Sequence, residues 1–499
     1  TAQAEVAAFM GAAQPAHFSV QGTRVDYTGP TNGGYRRFIL HYAHLCAAAG
    51  GVDAFCIGSE MRGLTQVRGS DGSFPAVAAL RALAADVRAI LGPDCKISYA
   101  ADWSEYHGFQ PAGTGDKIFH LDPLWADPNV DFIGIDNYMP LADWRDGDTH
   151  ADAGAGAIHD LAYLRGNIAG GEGYDWFYPT PEARDAQRRE PITDGLGEPW
   201  IWRYKDLVNW WGQPHHDRMG GVRSATPTAW VPQSKPVWFT EYGCAAIDKG
   251  ANQPNKFLDA KSSESGLPHY SNGQRDDLMQ MQYLRAMTQH YADPANNPVS
   301  SVYGGPMVDT GRMHVWAWDA RPYPFFPANR ALWADAGNYA RGHWLGGRAT
   351  NLPLASVVAE ICEAAGIAAY DVSRLFGIVR GYLLDHATSG RAALQPLMLA
   401  YGFDAVEQGG TLIFRNRRAR ISAQLGLADL ALDPEQDQAW SLTRAPASET
   451  AQRVQVLHLD ADGDYAPAAA DAAHADATSL AVAHHELPLA LTRAEGRAI

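Results

Sequence analysis

Five short apolar runs in the first 345 residues each end in polar or aromatic side chains. The endings are Gly58-Ser59-Glu60, Asp102-Trp103-Ser104-Glu105, Asp136-Asn137-Tyr138, Thr240-Glu241-Tyr242 and Trp316-Ala317-Trp318-Asp319. One polar ending is uninformative; five in succession describe a site. Two carboxylates across a scissile bond are what glycoside hydrolysis requires, one to protonate the leaving oxygen and one to attack or to activate water. Glu60 and Glu241 stand directly at the ends of their runs and form the candidate pair. Asp102 and Glu105 are the alternatives to Glu60. Ser59, Arg62, Trp103, Asn137, Tyr138 and Trp238 are candidate substrate contacts, with Tyr138 placed to hydrogen-bond Glu241. Trp316 or Trp318 would offer a flat apolar platform for a sugar ring. The competing reading is that one of the two glutamates is a hydrogen-bonded structural carboxylate.

The elements that position these residues follow from periodicity. A helical pattern through Phe38, Leu40, Tyr42, Ala43 and Leu45 stops at Gly50-Gly51. Val52–Gly58 then reads as a buried parallel strand, and the same reading holds for Lys96–Ala101, Val130–Asn137, Lys235–Thr240 and Met313–Trp318. Helices are expected over 76–91 and 274–291, and a Trp-rich excursion over 143–233. Strand alternating with helix predicts an α/β fold with a parallel sheet. Five strands are visible where a (β/α)8 barrel has eight, so the first three are expected upstream of Thr1 or from another segment. A smaller open α/β sheet is the alternative.

The character changes near 345. Residues 1–345 are expected to form the barrel-type domain and 346–499 a smaller α+β region. In the latter, Leu354–Ala365 reads as a helix, Ile378–Leu384 as a strand, Arg391–Ala400 as a helix kinked by Pro396, and 403–415 as a hairpin around Gly409-Gly410. Arg453–Leu459 reads as a strand and the stretch from Ala466 to His485 as loop.

A chain of 499 residues with net charge −16 is long enough for two or three domains and poorly suited to wrapping nucleic acid. The Trp and Tyr residues, 15 and 21 in number, suit sugar rings or a protein partner, although core packing accounts for most of them. Five cysteines without a CxxC pattern make neither a disulfide framework nor a zinc site, and Cys46, Cys56 and Cys362 read as small core hydrophobes. No metal and no cofactor are expected. Asp460–Asp464 has the spacing of a calcium loop without a Glu at its twelfth position, so a hairpin turn is the expectation. His215-His216 and His484-His485 are expected in solvated loops, and Cys244 in packing. No apolar run is long enough to span a membrane. A helix-like start at Thr1 and the closing EGRAI, without initiating Met or signal-peptide pattern, lead to the expectation of a piece cut from a longer chain.

The segments FILHYAHLCAAAGGVDAFCIGSEMRGLT, ISYAADWSEYHG, DFIGIDNYMPLADWRDG, WVPQSKPVWFTEYGCAAIDKGANQPNKF and HVWAWDARPYPFFP resemble the TIM-barrel-like domain of gene transfer agent and phage-tail baseplate proteins. GHWLGGR, VRGYLLD, RAALQPLMLAYGFD and ELPLALTRAEGRAI resemble the adjoining tail-hub region. The resemblance implies a hub component of a virion tail baseplate, made in the bacterial cytoplasm. It also implies a homotrimer around a threefold axis through which DNA passes, other tail proteins as partners, and a barrel that cuts or binds cell-envelope glycan. VWFTEYG is similar to the nucleophile strand of the large retaining clan of barrel glycosidases. By that likeness Glu60 and Glu241 end strands four and seven, as acid/base and nucleophile. That clan usually has Asn before the acid/base; here Ser59 stands there. The alternative reading is an inactive structural hub with a relic or glycan-binding barrel.

Overall fold

The computed structural model describes residues 1–259, 262, 265–417, 423–430, 442–444, 446, 451–475 and 481–499. Its contacts form two compact units, Thr1–Ala317 with Ala340–His343, and Trp318–Tyr339 with Trp344–Ile499. Where a single boundary at 345/346 is expected, the chain crosses between units after Ala317, Tyr339 and His343.

The first unit is built on five parallel strands: β1 (Ala54–Ser59), β2 (Lys96–Asp102), β3 (Ile133–Asn137), β4 (Val237–Tyr242) and β5 (Val308–Val315). Their order across the sheet is β5-β4-β3-β2-β1, the order of the chain. A doubly wound sheet reverses direction at a switch point; this one does not, and its progression is that of a barrel segment. The centre is closed on both faces, with every residue of β3 buried. The rims differ. β1 ends the sheet on one side, and Cys56 on it is exposed, which corrects its expected place in the core. Cys46 is half-buried and Cys362 buried. The last strand runs over Val308–Val315 and stops short of the expected Trp318.

Helices α1 (Gly34–Ala48), α2 (Pro75–Leu91) and α3 (Asp277–Ala292) flank this sheet. α2 opens on Pro75, a residue whose missing N–H costs nothing at that position. It buries Ala76, Val77, Leu80, Leu83, Ala84 and Val87, an i, i+3, i+4, i+7 face. Its Arg88 donates to the carbonyls of Gly92 and Asn129 and pairs with Asp131, whose carboxylate also accepts from Ile97 N–H at 2.8 Å. One guanidinium thus aligns the starts of β2 and β3. α3 holds the opposite ends of the strands: Tyr283 Oη donates to the Met139 carbonyl at 3.0 Å, and Gln280 Nε2 to that of Cys244 at 3.1 Å. Cys244 is buried in this packing.

The excursion over 143–233 is a packed element in its own right. Asp122 sits beneath it, 2.9 Å from His215 Nδ1 and accepting from the Thr228 hydroxyl. His215 is fully buried and stacks on Phe119 at 4.3 Å, so the expected solvated histidine is instead a core group with both ring nitrogens engaged.

In the second unit, α4 (Leu354–Ala364) and α5 (Gly390–Tyr401) pack with β6 (Tyr370–Arg374) and the hairpin β7–β8 (Phe403–Gln408, Thr411–Asn416) around Val358, Leu397, Phe403 and Phe414. Gly409 and Gly410, at φ +62° and +80°, make the left-handed two-residue turn that such a hairpin needs. The expected 378–384 strand pairs in two pieces: Ile378–Val379 with Leu352–Pro353, and Tyr382 antiparallel to Leu489, with Leu383 N–H on the Pro488 carbonyl at 3.0 Å. The stretch expected as loop after Ala466 carries two strands, Pro467–Ala473 and Val482–Leu491, on either side of Arg453–Asp460. Alanine-rich composition hid the first of them, because Ala is a weak strand signal that pairing across a sheet overrides. The Asp460–Asp464 segment is the turn of that sheet: Asp460 is buried, takes Asp462 N–H at 3.0 Å and binds Arg493 at 2.7 Å.

Candidate active site

The two glutamates leave strands whose pairing is locally irregular. The β1–β2 register shifts between Cys56 and Ser59, and the β4–β3 register between Phe239 and Glu241. Such bulges re-aim the side chain that follows. Glu60 is also held at φ +52°, a conformation rare outside glycine. Two hydrogen bonds impose it: Glu60 N–H donates to the Ala100 carbonyl at 2.8 Å and Met61 N–H to Tyr99 Oη at 2.6 Å. Tyr99 Oη in turn faces both oxygens of Glu105, at 3.1 and 3.2 Å.

The result brings together an oxygen each from Glu60, Glu241 and Asp136, all within 4.8 Å of one another. Tyr138 Oη donates to Glu241 at 2.7 Å, the contact expected of it. Asp136, which sequence reading passed over as a site residue, is fully buried and takes hydroxyl bonds from Thr240 at 2.6 Å and Ser59 at 3.0 Å. The signal for it was present: it precedes Asn137 on β3, and alternation sends the two to opposite sides. Asn137 is buried and accepts from Met139 N–H at 3.2 Å, so it shapes its own loop. Among the described residues this carboxylate trio is the one group able to hold a metal ion by ligand type and spacing.

Electrostatics separates the two glutamates. Glu60 is exposed as a residue, yet its carboxyl end lies low in the acidic cluster. Loss of water, then Asp136, Asp102, Glu241 and Glu105, push it up to about 8. Glu241 is raised to about 7 by burial and Asp136, against the opposing bond from Tyr138. Glu105 is fully buried, accepts from Thr65 and Tyr99, and is raised to about 7 by burial. It is a support beneath Glu60. Asp102 is taken by Ser104 N–H at 2.8 Å, and Arg62 reaches the Ser104 hydroxyl.

The aromatic candidates divide. Trp103 packs edge-on to Tyr204 of the excursion at 5.0 Å. Trp316 is 45 % exposed, with its backbone N–H on the Tyr242 carbonyl at 2.9 Å. Trp318, 68 % exposed, belongs to the second unit. Trp238 is buried and stacks on Phe132 at 3.9 Å; it lies at the start of its strand, and packing accounts for it in place of the expected substrate contact.

Two outcomes are expected here. Between the ordinary carboxylate range and about 8 the folded chain holds protons on Glu60, Glu241 and Glu105 that the unfolded chain has released. Stability is therefore full below about 4.5 and falls as pH rises through about 7–8. Glu60→Gln should flatten this slope and raise the melting temperature at pH 8.5 by about 2 °C, a gain reduced by solvent around Glu60; melting curves from pH 5 to 9 check it. Tyr99→Phe leaves Met61 N–H and Glu105 each one partner short, costing about 1–3 kcal/mol. Denaturant titration should show that loss, which a purely peripheral tyrosine would not.

Residues 33–327 match the family described as the GTA TIM-barrel-like domain, and 389–499 match a family of phage tail proteins. Among solved structures, the chain is similar to one from the virion of a native gene transfer agent particle. The match has 50% identity over 33% of this chain and 37% of that one, with a TM-score of 0.31. It thus spans little more than a third of that relative's length. No curated protein matches. With a parallel sheet in chain order beneath the first match and a separate α+β unit beneath the second, the chain belongs to the GTA TIM-barrel-like domain family, as a tail component of a virion-like particle.

Proposed function

We propose that this chain is part of a tail-tip hub and that its first unit is a retaining β-glycoside hydrolase acting on cell-envelope glycan, peptidoglycan or surface polysaccharide, during DNA delivery. The observation that carries the reading is the approach of Glu60 and Glu241 oxygens to within 4.8 Å at the ends of two parallel strands. Retaining enzymes hold their carboxyls about 5–5.5 Å apart, inverting ones about 6.5–9.5 Å. The proton affinities support the same roles. Glu60, at about 8, keeps its proton at neutral pH and can give it to the leaving oxygen; Glu241, at about 7, ionises first and can attack. Tyr138 orients Glu241. The covalent glycosyl–enzyme is then opened by water, with Glu60 taking the proton.

In this proposal the sheet is closed by three further β/α units on the open sides of β1 and β5. The assembly is a trimer around the axis that DNA traverses, with other tail proteins as neighbours, and the acidic net charge keeps the passage from gripping DNA. Among the described residues no helix is long and apolar enough to cross a membrane.

A second reading, an inactive glycan-binding hub, has one observation in its favour. Ser59 spends its hydroxyl on Asp136, where the glycosidase clan offers a sugar an amide. Incubation of the protein in its assembled particle with purified sacculi and a panel of envelope glycans separates the two. Fragment release that disappears in Glu241→Gln supports the hydrolase; binding without release from any glycan supports the second reading.

A further inference from the structure

Beyond the carboxylates, the first unit contains a buried basic cluster for which the proposed reaction has no use. Lys117, His107 and His120 are 0, 5 and 2 % exposed. Lys117 Nζ, both ring nitrogens of His107 and Nδ1 of His120 have no hydrogen-bond partner among the described protein atoms. The remaining nitrogen of His120 meets the Thr65 hydroxyl at 3.4 Å.

The backbone is arranged to bring these groups together. Phe109 and Ile118 exchange two hydrogen bonds, at 2.7 and 2.9 Å, and Lys117 pairs with Arg218 in the same way, so the 107–120 segment folds back on itself. Gly108, at φ +120°, lies at the crossing. A Cβ there would stand 3.0 Å from Lys117 Cε and 3.3 Å from Nζ. The ammonium end is therefore directed at the 107–108 backbone and away from solvent. Lys117 and His120 are also the charges that bear on His107, and Lys117 bears on His120, which places all three in one neighbourhood.

Among the described residues no carboxylate neutralises the cluster. Asp122 is the acidic group that influences Lys117, and its oxygens are already engaged by His215 and Thr228. The other surroundings are aromatic: Phe119, with Lys117 Nζ 5.7 Å from its centre, and Phe74, Phe109 and Tyr106 around the two imidazoles. Unpaired buried donors are costly, and a buried ammonium without a counter-charge more so. Burial pushes the pKa of Lys117 and of both imidazoles down, so without a counter-charge the lysine is driven toward its neutral form; a bound anion would hold the proton on it, whereas a water molecule could satisfy only the donors.

We infer that Lys117, His107 and His120 form an internal binding site for a small monovalent anion of the halide class. The anion accepts from Lys117 Nζ and from a His107 N–H, while His120, whose Nε2–H is turned to the Thr65 hydroxyl that donates to Glu105, lines the site beside them. The site is structural: it fixes the 107–120 segment, and through Thr65 it adjoins the wall carrying Glu105. It does not depend on glycosidase activity and stands or falls separately from it.

Crystals of the full chain soaked in sodium bromide test it directly. The expected result is an anomalous peak in contact with Lys117 Nζ and a His107 nitrogen. Light-atom density without anomalous signal at that place means water beside a neutral lysine and overturns the proposal. In solution, melting in chloride or bromide is compared with isethionate at equal ionic strength, which holds screening constant. The melting temperature should rise by about 2 °C per tenfold halide above the dissociation constant, and Lys117→Met should abolish that dependence. A halide response unchanged in Lys117→Met overturns the assignment. Should that variant fail to fold, the anomalous map of the wild-type chain decides alone.

Discussion

Glu241→Gln should lower kcat/KM for glycan cleavage by about 10⁴-fold, on the order of 5–6 kcal/mol of transition-state stabilisation. Glu60→Gln should lose a comparable factor only on natural substrates. The difference follows from the roles. A glutamine at 241 has no anionic oxygen to attack, so no choice of leaving group helps. A glutamine at 60 cannot protonate the leaving oxygen, but a dinitrophenyl glycoside needs no proton to depart. Glu60→Gln should therefore form the glycosyl–enzyme rapidly from that substrate and stall at its hydrolysis, giving a burst equal to the enzyme concentration. The wild-type pH profile should be bell-shaped, rising as Glu241 ionises near 7 and falling as Glu60 loses its proton near 8. Those limbs belong to the coupled pair and not to single residues. Equal losses on activated and natural substrates in both variants would remove the assignment of roles. A flat alkaline limb would remove Glu60 as the acid.

Arg218→Ala should be among the most destabilising single changes, by about 3–5 kcal/mol. Arg218 is 3 % exposed and binds both oxygens of Asp194, itself 5 % exposed, while its other arm reaches Glu198 at 2.7 Å. Its backbone pairs with Lys117. Removing the guanidinium leaves a buried carboxylate without its counter-charge and loosens the excursion from within, since Asp194 and Glu198 both belong to it. Tyr204, which packs on Trp103, lies in that excursion. Calorimetry should show the loss, and limited proteolysis should cut first within 143–233. Arg218→Met combined with Asp194→Asn, which removes both charges, should recover a large part of it. A variant as resistant to protease as wild type would mean that Arg218 is not what secures this segment.

The parallel strands were legible because each is a short apolar run between helical segments, a length and setting that favour a strand; the central one, Ile133–Asn137, is buried along its whole length. Glu60 and Glu241 were legible because they terminate those runs. Asp136 was not, since a buried carboxylate is recognised by its hydroxyl partners, Ser59 and Thr240, which lie 77 and 104 residues away. Tyr99 was hidden for the same reason: mid-strand it looks like core, and only the fold brings its hydroxyl under Met61. His215 was misplaced because the neighbouring His216 and the polar context suggest a loop, while Asp122, 93 residues away, draws it inward. The strands after Ala466 depend on pairing with Arg453–Asp460 more than on their own composition.

β1 is the outermost strand of its sheet, and Glu60 sits at its tip. Any segment that pairs along Cys56–Ser59 excludes water from that carboxyl and tightens its hold on the proton. By thermodynamic reciprocity, protonating Glu60 then strengthens that pairing to the same degree. The acid of the proposed reaction doubles as a titratable gauge of whether the sheet's rim is covered. Its proton is bound most firmly when the neighbouring wall is in place, and mild acidity favours the covered arrangement.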